Sequence, residues 1–348
     1  MIILKLVDKL KSIFKMDQRN IVTLAIIIMA IIKNRSVNLA SLVHCLDSKT
    51  RIESRYKKLQ RFIWNVRFDR KALARFLISF AGKQERYMIA IDRTNRNYGK
   101  FKINILVLWV VYKWMAIPIL WKLLDKKWNS SSKERIELLI EYIEVFWKGS
   151  IWLVLWDREF IWHERVNRLI GMHIEFWLRV RNNTIVEWYG KRKHIRESFK
   201  HDQYYIPRSL KRARNIWWLR LFVTGMKVKD EYLIVVSKSY DPKILEKYWD
   251  RWEIETLFWD MKSRWFNFED THLQKQERIN AMMWILAICV VRAHTVWEWR
   301  TKEEPIKVKQ HWRKQYSIFR YGLELIKDAF EHLKPKVLTT VLSLLYCT

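Results

Sequence analysis

The pattern of hydrophobic and polar residues predicts a mixed α/β protein that begins with helices. In the first 80 positions an apolar run at 21–32 is followed by a polar break and a shorter helix at 37–46. A longer basic helix then ends near residue 66, and it carries Arg51, Arg55, Lys57, Lys58 and Arg61. This arrangement is typical of a helix-turn-helix DNA reader, and equally of a helical bundle with a charged outer face.

After residue 86 the pattern changes to that of strands. We expect strands at 88–91, 102–111, 114–121 and 151–156, and a helix at about 132–147. The first of these strands ends at Asp92, with turn residues after it, and the last ends at Asp157. Each would present a carboxylate at a strand end. A strand-end Asp taken alone is more commonly a helix cap or a turn former.

The rest of the chain alternates between the two patterns. We expect a helix at about 160–170, a strand at 173–180, strand-like pieces at 215–224 and 231–238, and a long apolar helix at 275–298.

The segment 248–262 has no Pro or Gly, and its apolar spacing predicts a helix. Four polar residues then lie at roughly 0°, −60°, −20° and −40° around the helix axis, namely Tyr248, Arg251, Glu255 and Lys262. A carboxylate flanked by Arg, Lys and Tyr suits a site that holds a metal ion and grips a phosphate. A solvated face with salt bridges would show the same pattern.

The charge balance indicates a polyanionic partner. Lys and Arg number 66 against 36 Asp and Glu, a net charge of +30, so nucleic acid is the expected partner and a membrane surface the alternative. The three cysteines have neither metal-ligand spacing nor a disulfide framework, which fits a reducing cytoplasm. We expect no signal peptide and no transmembrane segment, because the apolar runs are short or interrupted.

The spacing Tyr-x2-Arg-x3-Glu-x6-Lys at 248–262 resembles the signature of DDE transposases from the fourth-numbered family of bacterial insertion sequences. The segments SRWFNFEDTHL at 263–273 and IESRYKKLQRF at 52–62 also resemble that family. The resemblance extends over about residues 20–330. It implies an α/β fold with a ribonuclease-H-like core, in which the catalytic residues and metal ligands are Asp92, Asp157 and Glu255.

The same resemblance implies an order of regions along the chain. These are a helical DNA-binding region at 1–80, core segments at 81–180 and 241–300, a β-rich insertion at 181–240 and a C-terminal helical region at 301–348.

The resemblance also implies a reaction and its partners. The three acids would hold two Mg²⁺ ions, with Mn²⁺ as a substitute, for cut-and-paste cleavage through a hairpin-ended intermediate. The terminal 5′ phosphate would be held by Tyr248, Arg251 and Lys262. Trp217 and Trp218 are candidates for base stacking, although core packing is the commoner role of such residues. The partners would be double-stranded DNA, at the terminal inverted repeats and the target, and a second copy of the chain in the synaptic complex. No membrane partner is expected, and the location would be cytoplasmic and nucleoid-associated.

Tryptophan and glycine depart from ordinary usage. Trp numbers 21 and Gly only 7, where usage near 7% predicts about 24 Gly. Trp stands where turn chemistry and the resembled family favour Gly, at Trp128, Trp156, Trp162, Trp265 and Trp312, and Arg stands for Trp at Arg96 and Arg165. Either the copy is decayed, or UGA codes for Gly and CGA or CGG for Trp. Those five Trp should then be exposed or crowd turns.

Three functions stay open from the sequence. The first is an active transposase, and the second is an inactive or decayed relative that only binds DNA. The third is a structural or membrane-surface protein with fortuitous motifs, which predicts that the three acids are scattered in space.

Overall fold

The computed structural model describes residues 2–46, 49–98, 101–112, 115–124, 131–157, 163–229, 231–248, 268–271, 273–307, 315 and 318–331. The chain begins with helices α1 (Ile2–Ile13), α2 (Gln18–Asn34), α3 (Leu39–Leu42), α4 (Ile52–Asn65) and α5 (Arg70–Ser79). Asp17 and Asp69 cap α2 and α5, because each carboxylate accepts backbone N–H groups of the first turn. A left-handed residue, Arg35 with φ 52°, ends α2 at the predicted polar break.

A meander and a crossover build one half of the sheet. Strands β1 (Tyr87–Tyr98), β2 (Phe101–Tyr112) and β3 (Met115–Leu124) pair in antiparallel fashion. Helix α6 (Ser132–Phe146), which begins at a Ser131–Glu134 capping box, leads to β4 (Ile151–Trp156). β4 pairs in parallel with β1. Helix α7 (His163–Gly171) then leads to β5 (Phe176–Arg179), which pairs in parallel with β4.

The other half of the sheet comes from short strands between 185 and 237. They are β6 (Ile185–Trp188), β7 (Lys191–His194), β8 (Arg208–Ser209), β9 (Arg214–Ile216), β10 (Leu219–Val228) and β11 (Glu231–Ser237). Within the described ranges the eleven strands follow the order β3-β2-β1-β4-β5-β11-β10-β9-β6-β7, with β8 paired to β10. After β5 the chain therefore builds the far part of the sheet first, and it returns beside β5 with its last strand, β11.

The long apolar helix lies between the N-terminal helices and the sheet. After α8 (Ile244–Tyr248), the described chain continues with α9 (Gln276–Glu303) and α10 (Ile318–Glu331). α9 contacts α2, α4, α5, α10 and β3. Trp121 of β3 donates its indole N–H to Asn280 Oδ1 at 2.6 Å, which joins the sheet to this helix.

Helix α9 is long and apolar enough to cross a membrane, as is the bent pair Gln18–Asn34 and Leu39–Cys45. In α9, however, 89% of the most apolar window is buried inside the protein. Packing against the other helices and β3 thus accounts for its composition.

Several predicted strand boundaries are wrong, and β3, for example, continues to Leu124 instead of ending at residue 121. β1 does not end at Asp92, because the residues after it pair with β2 as far as Tyr98 with Phe101. The long antiparallel ladder outweighs the local turn preference of the asparagines. β5 begins at Phe176 instead of residue 173, since His173 has a positive φ of 55° in the turn that precedes it.

Candidate active site

Asp92 of β1 and Asp157, directly after β4, each follow a residue of one pair on neighbouring parallel strands. The parallel register pairs Ile91 of β1 with Trp156 of β4, and each Asp follows directly in its chain. Neighbouring strands are about 4.8 Å apart, so the two backbones are separated by about one strand spacing at this level. The register therefore brings the backbone positions of two of the three acids named from the sequence next to each other.

The surroundings of Asp157 leave one carboxylate oxygen without a hydrogen bond. Its side chain is 20% exposed, and Oδ1 lies 3.9 Å from Nη1 of Arg179 at the end of β5. Within the described part of the chain, Oδ1 is buried and accepts no hydrogen bond. The second acid, Asp92, is half-buried, and its Oδ1 accepts the backbone N–H of Arg93 at 2.7 Å.

An under-coordinated carboxylate oxygen beside a second carboxylate fits a hard divalent cation, which prefers oxygen ligands and retains several waters. The described residues contain no group of three or more His, Cys, Asp or Glu side chains that could hold a metal ion. The third predicted ligand, Glu255, lies outside the described residues, as do Arg251 and Lys262.

The Tyr248 hydroxyl has a backbone partner at the end of β4. Its side chain is 4% exposed, and its hydroxyl donates to the backbone oxygen of Trp156 at 3.0 Å. The sequence predicts a phosphate ligand here, and that role stays a prediction. In the structure this hydroxyl fastens the end of α8 to the end of β4, one residue before Asp157.

Arg179 is a site residue that the sequence analysis missed. Its guanidinium also donates to Glu231 Oε2 at 3.4 Å, which links β5 to β11. The sequence does contain a signal for Arg179. It is the basic residue at the end of an apolar strand, and the strand before it in the chain is followed directly by Asp157.

Trp156 contradicts the expectation that it is exposed or crowds a turn. It is 1% exposed and is the last residue of β4. Its indole N–H is buried and finds no acceptor among the described residues. Trp128, Trp162, Trp265 and Trp312 lie outside the described residues, as do the side chains of Arg96 and Arg165.

Trp217 and Trp218 form the two-residue loop between β9 and β10. Trp218 is 88% exposed, whereas Trp217 is half-buried against the core. The stacking role stays a prediction, and the exposure of the two side chains makes Trp218 the better placed.

Cations surround the neighbouring hairpin β6–β7. The Arg214 guanidinium lies 3.4 Å from the centre of the Trp188 ring, and Arg212 donates to the Tyr189 hydroxyl at 2.8 Å. Burial lowers the pKa of the Arg214 guanidinium, and the charges of Arg212 and Arg208 add to the shift. Arginine stacked on an aromatic ring retains its charge for a phosphate while its stem is held in place.

In the N-terminal region, the basic residues of α4 divide into two groups. Arg55 is half-buried and donates to the backbone oxygens of Leu46 and Thr50 at 2.8 and 3.0 Å, so it shapes the preceding loop. Lys57, Lys58 and Arg61 are exposed.

A family model described as "Transposase DDE domain" matches residues 122–292, just under half of the chain. The match supports a DDE transposase; it spans Asp157 and Glu255 and begins after Asp92. The chain is also similar to the piggyBac transposase in the cryo-EM structure of its synaptic complex with hairpin DNA. That alignment has 13% identity and a TM-score of 0.48, and it covers 99% of this chain and 82% of that chain. No curated protein matches the chain.

Proposed function

We propose that this protein is a DNA transposase that cuts and joins phosphodiester bonds at the ends of an insertion sequence. The observation that carries the proposal is the register that sets Asp92 beside Asp157 at the end of β4, within a chain whose residues 122–292 match a transposase DDE domain. For these two acids, the same register supports the transposase over a structural protein with fortuitous, scattered motifs.

The core is ribonuclease-H-like in this proposal. The strand order β3-β2-β1-β4-β5, with β4 and β5 parallel to β1 after an antiparallel meander, supports it. The boundaries of the five predicted regions and the fourth-numbered insertion-sequence family belong to the same proposal.

Asp92 and Asp157 would hold the divalent ions, Mg²⁺ or Mn²⁺, together with Glu255. Ions held by these acids would supply activation of the attacking hydroxyl and neutralisation of charge on the leaving oxygen. The chain's own residues position the acids: Tyr248 holds the end of β4, and Arg179 lies beside Asp157 on β5. With helical geometry from Tyr248 onward, Glu255 would follow about two turns later on the same stripe.

Binding of DNA would come from charge that is separate from the acids. The net charge of +30 supplies non-specific affinity for phosphates. Lys57, Lys58 and Arg61 of α4 and the cations around the β6–β7 hairpin are the described candidates, and Arg251 and Lys262 would grip the terminal phosphate. We also propose a dimer on paired transposon ends, in the cytoplasm and on the nucleoid.

The test is cleavage of a duplex taken from the flanks of the protein's own gene, with Mg²⁺ present. We expect Asp157→Asn and Glu255→Gln to lose cleavage by at least about 100-fold and to bind the duplex within about twofold of the parent, because the acids hold metal and the cations hold DNA. Glu85→Gln, at an exposed loop position, is the charge-matched control and should cleave normally.

Normal cleavage by Asp157→Asn would refute the assigned role. A parent protein that binds the duplex but does not cut it would favour the alternative, an inactive relative that only binds DNA.

A further inference from the structure

Eight of the described non-glycine residues have a positive φ, which glycine adopts readily and bulky residues seldom adopt, and three of the eight are tryptophans. The φ angles are 57° at Trp147, 51° at Trp217 and 64° at Trp218. A side chain with a Cβ clashes with the backbone in this region, and a bulky residue there is an outlier. Glycine has no Cβ and enters the region without penalty.

The β9–β10 hairpin shows what its loop requires. Its two central residues, Trp217 and Trp218, both have positive φ, which is the signature of a type I′ turn. Asn-Gly and Gly-Gly are the favoured sequences for this turn. The β6–β7 hairpin of the same sheet has a loop of the same length and φ signs, formed by Tyr189 with φ 50° and Gly190 with φ 71°. Trp218 therefore stands where the neighbouring hairpin has glycine.

Trp147 stands where a helix ends. It follows α6 with φ 57° and ψ 158°, a region that is essentially restricted to glycine. The position directly after a helix is also the one where glycine is most enriched. Its indole gains little burial in return, because the residue is 68% exposed.

Arg292 shows the opposite substitution. It is 1% exposed in the middle of α9, and its guanidinium lies 4.5 Å from the Phe80 ring and 5.4 Å from the Phe76 ring. Arginine is rarely buried to this extent unless it is paired, and Arg135 is the other arginine at 1% exposure among the described residues. A large aromatic side chain in a pocket lined by aromatic rings is the ordinary occupant of such a place.

We infer that the cell that owns this gene makes the protein with glycine at positions 147, 217 and 218 and with tryptophan at 292. That cell would read UGA as Gly, and CGA or CGG as Trp. If the same gene is instead decoded with UGA as Trp and with CGA and CGG as Arg, it yields Trp at 147, 217 and 218 and Arg at 292, as in the sequence given. The inference rests on backbone angles and burial, so it is independent of the proposed function. It adds positions that differ from the five suspected on turn chemistry.

The first test reads the codons. UGA at two or more of positions 147, 217 and 218, with CGA or CGG at 292, is the expected result. UGG at two or more of those three positions overturns the inference.

The second test measures thermal unfolding of the protein with Trp at 147, 217 and 218, and of its variants. Relief of the unfavourable φ should raise Tm by about 2 °C or more in Trp147→Gly and in Trp218→Gly. Trp121→Gly is the control, because Trp121 is fully buried and hydrogen-bonded to Asn280, and it should lower Tm strongly. If the two glycine variants lower Tm as the control does, these positions do not require glycine and the inference is overturned.

Discussion

The hydroxyl of Tyr248 provides the sharpest test of how the candidate site is held together. Tyr248→Phe keeps the ring and removes one donor, which reaches the Trp156 carbonyl at 3.0 Å in a place where the side chain is only 4% exposed. A typical hydrogen bond contributes about 1 kcal/mol, and a buried acceptor left without its donor costs about 1–3 kcal/mol. We therefore expect the free energy of unfolding to fall by about 1–2 kcal/mol.

The assay is urea unfolding followed by circular dichroism. With a slope of about 3 kcal/mol per molar urea, the midpoint should fall by about 0.3–0.7 M. Tyr240→Phe is the matched control: Tyr240 is 45% exposed and packs edge-on against Phe222, a contact that the variant retains. It should stay within about 0.5 kcal/mol of the parent.

A DNA-binding measurement separates the two roles considered for Tyr248. A positioning role predicts slower cleavage by Tyr248→Phe with unchanged affinity for the transposon end. A phosphate ligand predicts weaker binding with unchanged stability. A urea midpoint equal to those of the parent and Tyr240→Phe would refute the positioning role.

Three further predictions test other parts of the fold. Gly322→Ala should destabilise the protein by about 2 kcal/mol or more in urea unfolding, because the new Cβ would lie 1.9 Å from the Ala293 carbonyl oxygen on α9. This overlap outweighs the gain of about 1 kcal/mol in helix propensity. Gly171→Ala is the control and should be neutral or stabilising, because a Cβ at Gly171 has nothing within 4 Å. Burial raises the pKa of Tyr142 to about 12. The contribution of Tyr142 to the free energy of unfolding should therefore be intact below pH 10, the pKa in the unfolded chain, and should fall by about 2–3 kcal/mol as the pH rises to 12. Tyr142→Phe should lack this fall. Lys57→Ala with Lys58→Ala should reduce the slope of log affinity for DNA against log salt by about 2, and an unchanged slope would remove α4 from the DNA contact.

The sequence predicts elements best where a run has clear ends. β4 has the predicted bounds because an apolar run of six residues lies between Gly149-Ser150 and Asp157. The strand-like piece at 215–224 hides a hairpin loop, because Trp217 and Trp218 favour strands by composition while their backbone forms a turn.

The contacts of the site were harder to predict than its acids. The spacing at 248–262 places Tyr248 on the stripe of Glu255, which suggested a shared ligand. Its hydroxyl partner is a carbonyl 92 positions earlier in the chain, and that neighbour depends on how α8 packs against β4. Arg179 was missed for the same reason, since its importance comes from strand order.

The return of the chain beside β5 limits how this protein can be altered. The segment from β6 through β11 is not a module that could be removed while the core stays whole. Val235 of β11 pairs with Arg179 of β5, so excision would turn β5 into an open sheet edge. It would also remove Glu231, which binds the guanidinium beside Asp157. Relatives that lack this segment would need another strand or helix to cover β5, whereas changes in the length of its hairpin loops would leave the acids undisturbed.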